Sequence, residues 1–435
     1  MTSTKQSNKN PLLNFHTKIF YGWWIIVLAL IITSSTQLPV TSGVGIWLDS
    51  FEQHFGWSRT QLALAISIGQ LETSLAAPIV GILIDKIGAK RLVFSGISVV
   101  GIGFFLLSQT DSLTMFYISY AVVMLGSLLG GRLPMMAVIN NWFDKKRTIA
   151  MGMGGLGSSV GSFVVIPILA LLVNPTNFGW EMTSMGLGIF FLVIALPIAK
   201  LIRNSPEEHG EIPDGIKTHD PEITNDDINE NDNRDFTILE VMKMKSFWVI
   251  TICLSTSSMI GSTMMVHMIL ALTDQGLPLT TSALIWGITM GIAGLGQILG
   301  GYIGDRIPKN LALFIFGCLQ SLGVLLAIVI ANNLYIIAIF VIIYGLGYGA
   351  RSSLGAAIRG EYFGRKSFGK VMGFSMLPMR FTMFVGPLFA GKMFDTYGNY
   401  DYAFLILAAI TGFGSLGFFL AKKPKSKSSL HLDSQ

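Results

Sequence analysis

The sequence predicts an all-α membrane protein with 12 transmembrane helices in two pseudo-symmetric six-helix bundles. Three observations predict this: apolar stretches of membrane-crossing length, a one-sided distribution of basic residues, and a repeat between the two parts of the chain at an offset of about 220 residues.

The apolar stretches come first. Hydrophobic residues make up 51% of the chain and charged residues 13%, about half the roughly 25% usual in soluble domains. A water-soluble protein of this length has too little interior to hide that much apolar surface, so lipid is its main solvent. A helix needs about 20 mainly apolar residues to cross the hydrocarbon core, whereas a barrel strand needs only about 9–11. Twelve stretches reach helix length, at 22–47, 61–84, 92–110, 115–140, 149–172, 183–203, 247–272, 281–304, 310–331, 335–358, 367–391 and 402–421. The polar N-terminal 20 residues run into the first stretch without a small-residue cleavage site, so that stretch reads as a retained span rather than a signal peptide. The expected organisation is an N-terminal half (1–203), a polar acidic linker (204–246), a C-terminal half (247–421) and a tail (422–435). The linker, with EEHGEIPDG and DDINENDNRD, has the composition of a flexible tether.

Charge sets the orientation. With the N-terminus taken as cytoplasmic, 25 of the 30 Lys and Arg fall on that side. Two, Arg59 and Lys392, fall on the other, and the rest lie within spans. Positive residues stay on the cytoplasmic side, so both termini are expected there, in a multi-pass plasma or inner membrane protein. The pI near 9.0 then reflects topology rather than nucleic-acid binding.

The repeat pairs Gly81-Ile-Leu-Ile-Asp85-Lys-Ile-Gly88 after the second span with Gly301-Tyr-Ile-Gly-Asp305-Arg-Ile-Pro308 after the eighth. It also pairs Gly126–Arg132 in the fourth span with Gly345–Arg351 in the tenth, and Thr33–Gln37 with the Ser/Thr run from Ser255. Repeated six-helix halves are a transporter device, with the substrate held near the midplane between them.

These segments carry a family resemblance. Gly81–Arg91 resembles the signature loop of the major facilitator superfamily, and Gly301–Lys309 its second copy. Tyr21-Gly-Trp-Trp24, Asn141–Gly152 and Glu361–Gly373 resemble the branch of monocarboxylate transporters and oxalate/formate antiporters. The resemblance implies that Asp85 and Arg91, with Asp305 as the second-half counterpart, belong to a cytoplasmic conformational latch. It also implies that spans 2 and 11, and spans 5 and 8, face each other across the halves. The glycine-rich spans 5 (Gly152, Gly154, Gly155, Gly157, Gly161) and 8 (Gly287, Gly291, Gly294, Gly296, Gly300) would then form a sliding contact, or a static tight one.

An ionisable side chain inside a span costs about 2.5–3.5 kcal/mol on insertion scales, which makes each one a functional candidate. Five stand out: Glu72, Arg132, His267, Arg351 and Arg380. Three arginines against one carboxylate attract anions, and a guanidinium matches a carboxylate with two hydrogen bonds. Arg380, deep in span 11, is the leading substrate contact, and the branch resemblance implies a cationic side chain there. In span 5 the corresponding positions hold Ser158, Ser159 and Val160. Arg132 and Arg351 are read either as paired anion clamps or as interfacial and carbonyl-capping residues. Glu72 is read as a proton-coupling or gating group paired with Arg380, or as a passive partner. His267, near the outer end of span 7, is read as a hydrogen-bonded interfacial histidine or a proton relay. Gln37, Gln70, Tyr344, Tyr348 and Trp286 would complete the substrate site, or serve as interfacial anchors. Pro39, just after Gln37, predicts a bend or local unwinding of span 1.

The expected function is secondary active transport of a small organic anion, a mono- or dicarboxylate, by alternating access with proton symport or anion exchange. The protein is expected to act as a monomer, with no cofactor, no metal and no nucleic-acid partner. Cys253 and Cys318 show no metal spacing and read as packing residues. No P-loop and no nucleophile–base constellation argues for an enzyme. Span 8 lacks the basic residue common in the branch, which leaves the particular anion open. The rivals are a neutral-solute carrier, a drug or cation exporter, which would need an acidic cavity, and a transporter-like sensor, which would need a signalling domain.

Overall fold

The computed structural model describes residues 20–143, 147–209, 211–212, 238–330, 333–363, 368–421 and 423–424. Residues 147–149, 151–152, 155–158, 160, 209, 238 and 368–370 are described by their backbone alone. Most of the expected linker and tail lies outside these ranges.

The N-terminal half contains α1 (Tyr21–Gln37), α2 (Val44–Phe55), α3 (Arg59–Ile87), α4 (Ala89–Leu107), α5 (Leu113–Gly130), α6 (Arg132–Trp142), α7 (Arg147–Val173) and α8 (Gly179–Leu201). A short α9 (Ile238–Lys243) precedes the second half. That half contains α10 (Lys245–Asp274), α11 (Leu279–Gly304), α12 (Lys309–Ile328), α13 (Leu334–Phe363), α14 (Phe368–Tyr397) and α15 (Asp401–Leu416). Among the described residues, ten helical segments are long and apolar enough to cross a membrane. Two shorter apolar helical stretches, Tyr21–Gln37 and Gly161–Val173, fall at the first and fifth expected spans.

Two spans differ from single helices. The first is broken between α1 and α2. Pro39 cannot continue the backbone ladder, and the turn is held by the Trp47 indole, which donates to the Pro39 carbonyl at 2.9 Å. The fourth is divided between α5 and α6 at Gly131. There a Cβ would collide with the Ser127 carbonyl of α5 itself and crowd the Thr36 hydroxyl of α1, so the break requires glycine.

The two halves repeat the same packing. In the first, α4 packs on α5 and α8, α3 on α5, and α1 on α7. In the second, α12 packs on α13 and α15, α11 on α13, and α10 on α14. Corresponding helices therefore choose corresponding partners, which is the structural content of the sequence repeat. Across the halves, α3 packs on α14, α7 on α11, and α2 on α10.

Among the described side chains, the glycine contact of α7 and α11 is one-sided. Gly287, Gly291 and Gly294 of α11 lie against Ser162, Phe163 and Ser159 of α7. Gly296 and Gly300 instead face α13, while Gly154 and Gly161 face Ile139 and Ser34 of their own half. The surroundings of Gly152, Gly155 and Gly157 lie outside the described side chains.

Candidate functional site

The helices α3 and α14 run antiparallel, and their contacts follow a register. Gly391 approaches the backbone of Arg59 and Thr60. Further along, the Ser67 hydroxyl donates to the Phe384 carbonyl at 3.0 Å. Beyond that bond the helices present exposed residues, among them Leu71, Leu75 and Ile79 on α3 and Met376, Leu377, Arg380 and Phe381 on α14. The halves are joined at the end opposite the chain termini and part toward the terminal end.

Arg380 stands at this parting. It lies four residues, about one turn, before Phe384, on the stripe of α14 that carries the Phe384 and Gly391 contacts. It is exposed, and among the described residues it has no ion pair. A guanidinium held at mid-span without a carboxylate has all its donors free for an anion.

Glu72 falls at the same level of the register but is not its partner. Five residues on from Ser67, it is turned about 140° around α3, away from the α14-facing side. One carboxylate oxygen is buried without a hydrogen-bond partner. The expected Glu72–Arg380 pair is therefore absent from this conformation, because the two side chains leave their helices in different directions.

Arg132 and Arg351, equivalent by the repeat, have opposite surroundings. Arg132 opens α6 immediately after the Gly131 break and is exposed without an ion pair among the described residues. Arg351 is 2% exposed, inside the second bundle. It donates to the Cys253 carbonyl at 3.0 Å and to Ser415 Oγ at 3.2 Å, with its guanidinium 5.7 Å from the centre of the Phe418 ring. A matched pair of cavity clamps is not what this geometry builds: α13 runs unbroken through Arg351 and carries it among α10, α12 and α15, where it ties helices together.

The uncharged candidates divide as well. Gln70 lines a small cleft with Val40, Thr41, Tyr120, Met124 and Met265, and its carbonyl oxygen is unpartnered. Gln37 ends α1, its amide close to Gly131. Tyr344 is fully buried, stacked between Phe340 and Tyr348. Tyr348 is half-buried and covers Gly261 on α10. Trp286 crosses the halves, its indole donating to the Ser42 carbonyl at 3.0 Å. It closes the joined end instead of walling an open cavity.

The joined end holds residues that sequence reasoning passed over. Arg59, counted there only as an outer loop cation, is 4% exposed. Its Nε donates to both oxygens of Glu52 at 3.0 and 2.9 Å. Nη2 donates to Asp274 Oδ1 at 2.7 Å, Nη1 to the second Asp274 oxygen, and Nη1 also to the Tyr400 hydroxyl at 2.9 Å. The guanidinium lies 3.6 Å over the centre of the Phe394 ring. Asp274, Tyr400 and Phe394 belong to the second half. Asp395, at the end of α14, accepts from the backbone N–H groups of Arg59 and Thr60 at 3.0 and 3.1 Å. It thus supplies negative charge to the N-terminus of α3, where the helix dipole favours it. The guanidinium is buried while the Glu52 and Asp274 carboxylates are partly exposed, so the cluster ties the halves together at the edge of the contact. The sequence signal, an Arg inside the Ser58-x-x-Gln61 capping box, marks a helix start but not a partner.

His267 is fully buried, not interfacial, because α10 is enclosed there by α2 and α14. Its Nε2 lies 2.9 Å from the Pro387 carbonyl and its Nδ1 2.9 Å from the Tyr400 hydroxyl. At the terminal end Asp85, Arg91 and Asp305 are exposed and form no ion pair among the described residues. Nearby, Glu361 is held by Lys309 and Lys423 at 2.7 and 2.8 Å.

Comparison with known proteins agrees with this architecture. The Major Facilitator Superfamily matches residues 19–332 and again 294–434. The chain is 24% identical to monocarboxylate transporter 12 of Mus musculus, over 92% of this chain and 85% of that protein. It is 23% identical to monocarboxylate transporter 13 of Rattus norvegicus, over 91% and 88%. Among solved structures, a bacterial homolog of the human lysosomal transporter Spinster, inward-facing and unoccupied, superimposes with a TM-score of 0.74 at 14% identity. That match covers 92% of this chain and 97% of the other. The relatives are transporters and not enzymes. With two matched six-helix halves and apolar spans throughout, this chain is a multi-pass membrane transporter that belongs to the major facilitator superfamily.

Proposed function

We propose that the chain carries a small organic anion of the carboxylate class across a plasma or inner membrane by alternating access, with both termini cytoplasmic. The observation that carries this reading is Arg380: an exposed mid-span guanidinium without an ion pair among the described residues, on the α14 face turned toward α3, at the point where the halves part. A bare cation so placed is costly unless something pairs with it, and a carboxylate does so with two charge-assisted hydrogen bonds. The names of the relatives, monocarboxylate transporters, support the same class.

In this conformation the halves meet through Arg59, Trp286 and Ser67 and are parted toward the termini. With the orientation given by the basic residues, the substrate path opens to the cytoplasm. Closure of that side would bring the inner parts of α3 and α14 together over an anion held by Arg380, with Arg132, Gln70 and Tyr348 as further polar contacts. Arg351 is left out of the substrate site and serves the bundle. Energy comes from proton symport or from exchange against a second anion.

The test is ligand-induced thermal stabilisation of the purified protein with a panel of carboxylates, sugars and organic cations, followed by uptake into vesicles at two pH values. Carboxylates should stabilise the protein, and Arg380→Ala should abolish that response. Stabilisation by sugars or cations with none by any anion would overturn the reading.

A further inference from the structure

The joined end contains a titratable group that the transport reading does not use. His267, Tyr400, Asp274 and Asp395 all belong to the second half; Arg59, Glu52 and Asp49 belong to the first. One atom links His267 to Arg59. The Tyr400 hydroxyl oxygen lies 2.9 Å from His267 Nδ1 and 2.9 Å from Arg59 Nη1.

The proton positions follow from the partners. The Pro387 carbonyl only accepts, so His267 Nε2, 2.9 Å away, carries the hydrogen. The guanidinium only donates, so the Tyr400 oxygen accepts from Arg59 and directs its own hydrogen to His267 Nδ1. Nδ1 is therefore an acceptor, and the imidazole is neutral while Arg59 is docked. A proton added to Nδ1 would turn it into a second donor toward the same oxygen and leave the tyrosine hydrogen without its acceptor. It would also place two positive charges no farther apart than those two bonds allow. Unit charges roughly 6 Å apart repel, an effect that the Glu52 and Asp274 carboxylates on Arg59 reduce.

We infer that His267 Nδ1 is a proton-binding site whose occupation excludes Arg59, so that protonation of His267 and closure of the joined end are alternatives. When the halves separate at this end, Arg59 leaves with Glu52 and Asp49, and the hydroxyl becomes free to accept from a protonated imidazole. The second half keeps two carboxylates beside it: Asp274 on its own helix and Asp395 on α14. On α2 the facing charged groups are Asp49, which accepts from Thr273 at 3.3 Å, and Glu52. On α3 the facing group is Arg59. Exchanging the arginine for a proton at one hydroxyl lets a solvent proton favour the open outer end without any motion inside the second half. The inference rests on the alternating-access reading but not on the nature of the substrate, and its test uses none.

The measurement is the distance between spin labels on Asp111→Cys and Tyr335→Cys, exposed positions in the two halves, in full-length protein with Cys253 and Cys318 replaced by Ser. Between about pH 8 and pH 5, the range in which histidine titrates, the long-distance population should rise at least tenfold relative to the short one. His267→Gln keeps a donor for Pro387 and an acceptor for Tyr400 but takes no proton, and should remove this pH response. Tyr400→Phe, which deletes the shared hydroxyl, should reduce it and serves if the glutamine variant fails to fold. A wild-type distribution that does not change with pH, or an undiminished pH response in either variant, would overturn the inference.

Discussion

The Ser67 hydroxyl donates to the Phe384 carbonyl at 3.0 Å, the innermost hydrogen bond between α3 and α14 among the described residues. One turn further toward the terminal end, Arg380 is exposed. The position of that bond decides which side chains are buried between the halves and which face the open path.

Arg380 should therefore behave as a binding residue and not as a folding residue. Arg380→Ala removes a charge-assisted interaction worth roughly 1.5–3 kcal/mol, so carboxylate affinity should fall about 10- to 100-fold with little change in the melting temperature of the empty protein. Arg380→Lys keeps the charge but loses the planar fork and should retain part of the affinity. Titration calorimetry or thermal shift with carboxylates separates the two variants. Equal affinity in wild type and Arg380→Ala would remove Arg380 from the site.

How much of this was legible in the sequence depends on what sets each feature. The spans were legible because the bilayer demands about 20 apolar residues for each crossing, a local property of the chain. The break after Gln37 was legible from Pro39. The facing of spans 2 and 11 came from resemblance and matches the packing of α3 on α14. Arg59 was not legible as a gate residue. Its partners Asp274, Asp395 and Tyr400 are more than 200 residues away in the chain, and nothing local to Arg59 announces them. The match of Arg132 with Arg351 was correct as an alignment and uninformative about environment, because burial depends on which neighbours pack there. Depth along a helix was readable for Glu72 and Arg380; direction around the helix relative to a partner was not.

Arg351 should answer differently from Arg380. Arg351→Lys loses the simultaneous reach to the Cys253 carbonyl and Ser415 Oγ. A hydrogen bond from a charged donor is worth about 1.5–3 kcal/mol, so stability should fall while carboxylate affinity stays within about a factor of two in the fraction that folds. A large loss of affinity at unchanged melting temperature would instead make Arg351 a substrate contact.

Glu72 and Arg380 can be tested as a pair. Side chains that leave their helices in different directions and share no bond should be energetically independent, within about 0.3–0.5 kcal/mol. A double-mutant cycle of Glu72→Gln and Arg380→Ala, read as melting temperature at fixed protein concentration, should be additive. A coupling well above that limit would mean that the pair forms in a conformation populated in solution.

Asp274 provides the most direct test of what holds the joined end. Asp274→Asn removes the second-half carboxylate from Arg59 but leaves Glu52, so the guanidinium keeps a first-half partner and is not stranded. Folding of each half should survive, while the cost of breaking this partly exposed pair falls on the contact between the halves. Ser67, at the inner edge of that contact, reports it. A cysteine at Ser67 should be protected from a membrane-impermeant thiol reagent added outside cells when Asp274 is intact. In Asp274→Asn it should react at least tenfold faster. Restoring the carboxylate with Asp274→Glu should return most of the protection, because the longer side chain still reaches Arg59. Equal reactivity in all three proteins would assign the closure to Trp286 and the α7–α11 glycine contact rather than to the arginine cluster.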